Sequence, residues 1–241
     1  MNSLKGKTAI VTGASRGIGR AISIALAQHG VNLALNSRSM ESLKEILEET
    51  AAFGVDVLPC PANIADPASP AEIVKKTVDH FGGVDILINN AGIAITRHIC
   101  ETPTEEWDLH MAINARAPFL MCREAIPHLK KSEAATIINI SSVVGSKGYV
   151  NQGAYTASKH ALMGMTKVLA QEVHGDGIRV HVISPGGVAT EMVQKTRPDL
   201  DISELITPAD IVDIVIFLLT HRGNAVIDEI SVRRAGNQPW K

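Results

Sequence analysis

Tyr155 and Lys159 lie four residues apart in a stretch with helical periodicity, which puts a phenol and an ammonium on the same helix face. Such a pair is suited to proton transfer. A carbonyl that accepts a hydride becomes an alkoxide, and a donor near its oxygen must supply a proton. A free tyrosine titrates at about 10, and a neighbouring cation is the simplest way to make it more acidic. The YxxxK spacing alone is common on solvated helices. Ser142 distinguishes this one: it ends an apolar strand pattern thirteen positions before Tyr155, where a sheet can bring its hydroxyl alongside to hydrogen-bond a substrate oxygen. Its neighbour Ser141 alternates to the other side of the strand.

A second group stands near the start of the chain. Thr12-Gly13-Ala14-Ser15-Arg16-Gly17-Ile18-Gly19 follows the first apolar run directly and opens a helical pattern. Bare backbone N–H groups and the helix dipole can face a pyrophosphate there with no Cβ in the way. A tight turn needing positive φ would account for one of the glycines Gly13, Gly17 and Gly19, hardly for all three. In dinucleotide sites a carboxylate ending the second strand binds the ribose 2′-hydroxyl, whereas a basic residue there accommodates a 2′-phosphate. The second run here ends in Asn36-Ser37-Arg38, with no carboxylate, and Arg16 could converge with Arg38 on a phosphate dianion. NADP(H) is the cofactor expected; the alternative is that both arginines are solvated loop residues.

These residues resemble the short-chain dehydrogenase/reductase family, from about Lys7 to Thr190. Further motifs follow in the family's order: Asn89-Asn90-Ala91-Gly92, Asn114 within Ala112-Ile113-Asn114, Ser141-Ser142, Tyr155-Thr156-Ala157-Ser158-Lys159, and Ser184-Pro185-Gly186, with Ser184 where many members have Asn. The resemblance implies a catalytic set of Asn114, Ser142, Tyr155 and Lys159, in which the carbonyl of Asn114 holds a water that relays protons to Lys159. It also implies cofactor contacts at Gly13, Ser15, Arg16, Gly17, Ile18, Gly19, Ser37, Arg38, Asn63, Ile64, Asn90, Ala91, Gly92, Tyr155, Lys159, Pro185, Gly186, Val188 and Thr190. Val188 and Thr190 match the positions that hold the nicotinamide carboxamide, and Asn89 to Gly92 are expected to stabilise the central sheet. Asn63 departs from the family's usual aspartate, so its amide oxygen would accept the adenine amino bond without charge.

The elements that must position these residues read as an α/β, Rossmann-type, doubly wound domain with a seven-stranded parallel sheet and helices on both faces. Strands are predicted at Thr8 to Thr12, Asn32 to Asn36, Asp56 to Pro59, Asp85 to Asn89, Thr136 to Ile140, Arg179 to Ile183 and Glu229 to Arg233. Helices between them end at Gly30, Gly54 and Gly82, and Ser39 and Thr104 are the expected N-caps. Two helices, roughly Thr104 to Lys130 and Gly153 to Val173, carry apolar residues nearly all round, including Trp107, Met111, Phe119 and Met121 in the first. One face belongs on the sheet, and the other is covered by a second subunit or by further packing within the chain. The family's four-helix interface implies a homotetramer, or a dimer. No linker divides residues 1–241, so one NAD(P)-binding domain is expected, with a short substrate lid at about 191–207.

Composition narrows the field. The 241 residues carry 23 Lys+Arg against 25 Asp+Glu, a net charge of -2 with no block of one sign, so neither nucleic acid nor an anionic membrane is an expected partner. Cys60, Cys100 and Cys122 form no CxxC pair, the nine histidines show no ligand spacing, and no run is long enough to be a signal or a span. A cytoplasmic location and no metal are expected. The leading function is NADP(H)-dependent reduction of a carbonyl to a secondary alcohol, with the resemblance strongest to 3-oxoacyl-[acyl-carrier-protein] reductase-like members and hence to an acyl thioester substrate. A free small carbonyl compound or 3-hydroxy acid is the alternative. A nucleotide-binding regulator on the same fold would be expected to have lost Tyr155 or Lys159, and an epimerase would need more than the roughly 50 residues after Thr190.

Overall fold

Strands buried on both faces must be apolar along their whole length, and Thr8–Thr12, Ile86–Asn89 and Thr136–Ile140 are buried at every residue. In the computed structural model, which describes residues 3–197 and 199–239, these are β1, β4 and β5. They are joined by β2 (Asn32–Ser37), β3 (Val57–Pro61), β6 (Arg179–Pro185) and β7 (Glu229–Val232) in one parallel sheet of order β3-β2-β1-β4-β5-β6-β7. All seven predicted strands are present, with ends shifted by a residue or two. Parallel pairing places every strand's C-terminal end on one edge, and the order reverses between β1 and β4, where Ala9 pairs with Ile86 and Val11 with Ile88.

Among the described residues the α-helices are α1 (Gly17–Gln28), α2 (Lys44–Ala51), α3 (Ser69–Phe81), α4 (Thr104–Met111), α5 (Ala117–Leu129), α6 (Gly153–Glu172), α7 (Glu191–Thr196) and α8 (Pro208–Thr220). Ile22, Leu26, Ile46, Val215 and Leu218 pack α1, α2 and α8 on one side. Ile73, Met121, Ala125 and Leu169 pack α3, α5 and α6 on the other. Each face is an apolar layer of the sort that stabilises such sheets.

Local signals behave unevenly. Gly30, Gly54 and Gly82 all adopt positive φ, between 76° and 82°, as the helix-ending glycines predicted. The Ser39 hydroxyl accepts the Ser42 N–H at 3.3 Å. Thr104 does not cap: it is the first residue of α4, follows the extended Pro103, and its side chain bonds no backbone N–H there. The helix expected to run from Thr104 to Lys130 is interrupted by a π-helical segment, Ala112–Arg116, in which the Ala117 N–H reaches back five residues to the Ala112 carbonyl. Periodicity could not reveal that insertion, because a single widened turn leaves the apolar pattern almost unchanged.

Two features concern the outer surface of α4 and α5 and the segment that carries α7. Leu109 and Phe119, at 41% and 48% exposed, border a shallow apolar depression of about 880 Å³ between α4, α5 and α6. Of the two coverings expected for this face, packing within the chain is not seen there among the described residues. Val188 pairs with Ile206, so the excursion carrying α7 leaves and rejoins the core at one point. Pro198 of that excursion lies outside the described residues.

Candidate active site

Ser142 lies two residues beyond β5 and caps a short 3-10 segment, Val143–Gly145, its hydroxyl accepting the Val144 N–H at 3.3 Å. That turn sits close under α6. A Cβ on Gly145 would lie 2.7 Å from Met163 Cγ and 2.9 Å from Ser141 Oγ, so only glycine lets it seat there. Tyr155 and Lys159 project from the first turns of α6, with Lys159 only 4% exposed and Tyr155 half-buried. Burial pushes the Tyr155 phenol up, and the adjacent Ser142 hydroxyl pulls it partly back.

The expected lowering of Tyr155 by the lysine is not what the protein groups produce. Lys159 Nζ donates to the Ile140 carbonyl at 2.9 Å, and burial lowers its own pKa from 10.5 to about 8. The ammonium is directed at the end of β5, and the phenol's environment is set by desolvation and by Ser142. Asn114 is fully buried in the π-helical segment. Its side-chain oxygen accepts the Ile93 N–H at 2.9 Å, and its Nδ2 donates to the Ile93 carbonyl and to Ser158 Oγ. Asn114 and Lys159 meet at Gly92, where an added Cβ would lie 3.3 Å from Asn114 Oδ1 and 3.7 Å from Lys159 Nζ.

The glycine loop needs its glycines for reasons of packing. Gly13 and Gly17 adopt φ of 66° and 57°, and a Cβ on Gly19 would stand 2.3 Å from the Gly13 carbonyl oxygen. Turn geometry and close approach thus account for all three, where one was expected. What points to an anion is different: α1 begins with no side-chain cap on its first-turn N–H groups and no acidic residue there. The Asn90 side chain donates to the Thr12 and Gly13 carbonyls, and Thr12 Oγ1 accepts the N–H groups of Asn90 and Ala91, pinning the loop to the end of β4. Ser15 and Ser37 are hydrogen-bonded, which closes the loop against the end of β2.

Arg16 and Arg38 part company. Arg38 is exposed at the end of β2 and has no ion pair among the described residues, but Arg16 bonds Glu191 at the start of α7, at 2.7 Å. In place of the expected convergence of the two arginines, a bridge runs from the loop to the start of α7. Asn63 is exposed, its oxygen occupied by the Ala65 N–H, and Ile64 is buried beside it. Pro185 and Gly186 continue from β6, with the Gly186 N–H bonded to Val232; Val188 is buried, and Thr190 precedes α7 with its methyl against Gly17. No cluster of three metal-ligating side chains occurs among the described residues.

The family model described as short chain dehydrogenase matches residues 7–201. The chain belongs to this family. It is 38% identical over 209 residues to a D-beta-hydroxybutyrate dehydrogenase of Rhizobium meliloti, covering 86% of this chain and 81% of that protein. It is likewise 38% identical over 195 residues to a 3-oxoacyl-[acyl-carrier-protein] reductase FabG of Staphylococcus aureus, covering 80% and 79%. A metagenomic short-chain oxidoreductase solved in complex with NADP superposes with a TM-score of 0.85 at 32% identity, covering 97% of this chain and 100% of that one. An alcohol dehydrogenase from Thermococcus sibiricus, complexed with 5-hydroxy-NADP, gives 0.89 at 28% identity over 97% and 98%.

Within this short-chain dehydrogenase, Asn89 stabilises the central sheet as its motif implied, but its partners Asn139 and Thr166, like Gly145 and Glu191, were not singled out by the sequence. Asn89 Nδ2 donates to Asn139 Oδ1 at 2.9 Å, and Asn139 Nδ2 donates to Thr166 Oγ1 at 2.9 Å, a buried polar chain from β4 through β5 to α6. Thr12 and Gly145 act locally as described above, and Glu191 acts on Arg16. Asn139 carried a signal, being a polar residue inside an otherwise apolar strand. Glu191 carried none, since its partner is 175 residues away.

Proposed function

We propose that the chain is an NADP(H)-dependent oxidoreductase that reduces a carbonyl to a secondary alcohol, with Tyr155 as the proton donor. The observation that carries this reading is that Tyr155 lies against the Ser142 hydroxyl while Lys159, one turn along the same helix, meets Asn114 at Gly92. The start of α1 fits a dinucleotide: its first-turn N–H groups carry no side-chain cap, no acidic residue stands there, and Arg38 is exposed at the end of β2, where a 2′-phosphate would lie. When bound, NADPH supplies the hydride. The protein's part is to hold the carbonyl oxygen against the Ser142 and Tyr155 hydroxyls and to deliver the phenolic proton as charge develops on that oxygen. Lys159 keeps a positive charge nearby up to about pH 8 and contributes to cofactor binding. Gly13, Ser15, Gly17, Ile18 and Gly19 would line the pyrophosphate, Ser37, Arg38, Asn63 and Ile64 the adenosine, and Asn90 to Gly92 with Pro185 to Thr190 the remainder.

The substrate proposed first is a 3-oxoacyl thioester, supported by the similarity to 3-oxoacyl-[acyl-carrier-protein] reductases. A free 3-oxo or 3-hydroxy acid is the second reading. It is favoured by the equal identity to a D-beta-hydroxybutyrate dehydrogenase, and by the ion pair of Lys130 with Asp176 at 2.9 Å, which occupies a lysine otherwise open to an acidic carrier. The test compares kcat/KM for acetoacetyl on carrier protein with the same acyl group on a short thiol. A strong preference for the carrier that collapses with added salt supports docking; a ratio near one, insensitive to salt, removes the carrier as a partner. The exposed apolar surface of α4 and α5 supports a homotetramer, and a cytoplasmic location accords with the family resemblance. No helix among the described residues is long and apolar enough to cross a membrane.

A further inference from the structure

His110 is fully buried on α4, one turn before Asn114. Its Nδ1 lies 2.8 Å from the Glu106 carbonyl and its Nε2 lies 3.1 Å from the Ile95 N–H. A carbonyl can only accept and an N–H can only donate, so these two contacts fix the ring as the neutral tautomer with its proton on Nδ1. Its ring centroid is 6.3 Å from that of Tyr155.

One turn further on, Asn114 binds both backbone groups of Ile93. His110 and Asn114 therefore hold alternate residues of the strand-like segment that follows Gly92, as a neighbouring strand would, but with side chains. That segment next pairs with the approach to Tyr155: the Arg97 N–H donates to the Asn151 carbonyl at 2.7 Å, and Arg97 bridges Gln152. Asn151 is held there at a φ of 65°, in the left-handed region. The segment thus joins the Asn114–Lys159 side of the site to the turn that leads into α6.

We propose that His110 is a positioning residue for the carbonyl substrate: by accepting the Ile95 N–H it fixes residues 93–97 as the wall beside Tyr155. This rests on the reductase reading above. His110 touches neither reacting atoms nor the glycine loop, so its removal should act on substrate geometry and spare the cofactor.

The test uses the full chain with NADPH and ethyl acetoacetate, comparing the parent with His110→Leu, which fills space but accepts no hydrogen bond, and His110→Gln, whose amide oxygen can accept the Ile95 N–H. In the leucine variant kcat/KM for the ketone should fall about tenfold or more, because a buried donor is left without a partner, while the Kd for NADPH stays within about twofold. The glutamine variant should recover most of the loss. Amide hydrogen exchange at Ile95 gives a readout free of turnover: faster in the leucine variant, near parental in the glutamine variant. An active parent with an unaffected leucine variant, a glutamine variant as impaired as the leucine one, or unchanged Ile95 exchange overturns the role of His110. A parent that binds NADPH yet reduces no ketone or thioester overturns the reductase reading, and the positioning role with it.

Discussion

At the scale of single residues, the proposed proton donor sits in a site that keeps its phenol protonated, since burial raises Tyr155 and Ser142 offsets only part of that. Tyr155→Phe should lower kcat by about a thousandfold, within the usual range for losing a general acid, with NADPH affinity nearly unchanged; rapid-mixing turnover and fluorescence titration measure the two. Lys159 makes a sharper case. Its pKa is depressed from 10.5 to about 8, so the unfolded chain binds the proton more tightly and folding is disfavoured wherever the buried amine must be charged. The sign follows: stability associated with this group is present above pH 10.5 and is lost as pH falls through 8. Lys159→Met should therefore be inactive yet more stable at pH 7, by at most about 3 kcal/mol less about 1 kcal/mol for the lost bond to Ile140. That advantage should shrink as denaturation is repeated from pH 8 toward pH 10. In the parent, kcat/KM for reduction should decline as pH rises through about 8, when Lys159 loses its charge. Ser142 was marked by its place at the end of an apolar strand pattern, and the pairing of Tyr155 with Lys159 was legible in the sequence because spacing on a helix is local. The direction of Lys159 Nζ was not, because its acceptor belongs to another strand.

At the scale of elements, the glycine loop and α7 each carry a prediction. Gly19→Ala would place a Cβ 2.3 Å from the Gly13 carbonyl, and backbone cannot yield cheaply. The variant should lose about 1–3 kcal/mol of stability by chemical denaturation, as overpacked sites do, and most of its NADPH affinity. The bridge from Arg16 to Glu191 joins two exposed side chains and contributes little to stability. It does engage a guanidinium otherwise free to meet a phosphate. Glu191→Gln should tighten NADPH binding by up to about fivefold, in keeping with the roughly 1 kcal/mol of an exposed pair, with a smaller effect on NADH. Equal gains for both cofactors, measured by nicotinamide fluorescence, would show that Arg16 does not address the 2′-phosphate. Strands and helix ends at this scale were legible from apolar runs and from glycines at Gly30, Gly54 and Gly82. The π-helical turn around Asn114 and the polar chain Asn89–Asn139–Thr166 were not, because both depend on which elements become neighbours.

At the scale of the whole molecule, the apolar outer surface of α4 and α5 leads to an association prediction. Light scattering at micromolar concentration should give about four times the 25.7 kDa chain mass, and Phe119→Glu should shift it toward smaller species. A monomeric parent would show that this depression serves something other than self-association.

The sheet order carries a consequence for synthesis. β1 is made first but lies in the middle of the sheet, and α1, which follows it, is covered by α8, made almost last. While the ribosome adds the intervening segments, Ile22 and Leu26 and the strands beneath them lack the covering that Val215, Leu218 and Leu219 later provide. A nascent chain arrested before Pro208 should therefore expose a sticky apolar face through most of its translation and engage chaperones, and release should follow soon after α8 emerges.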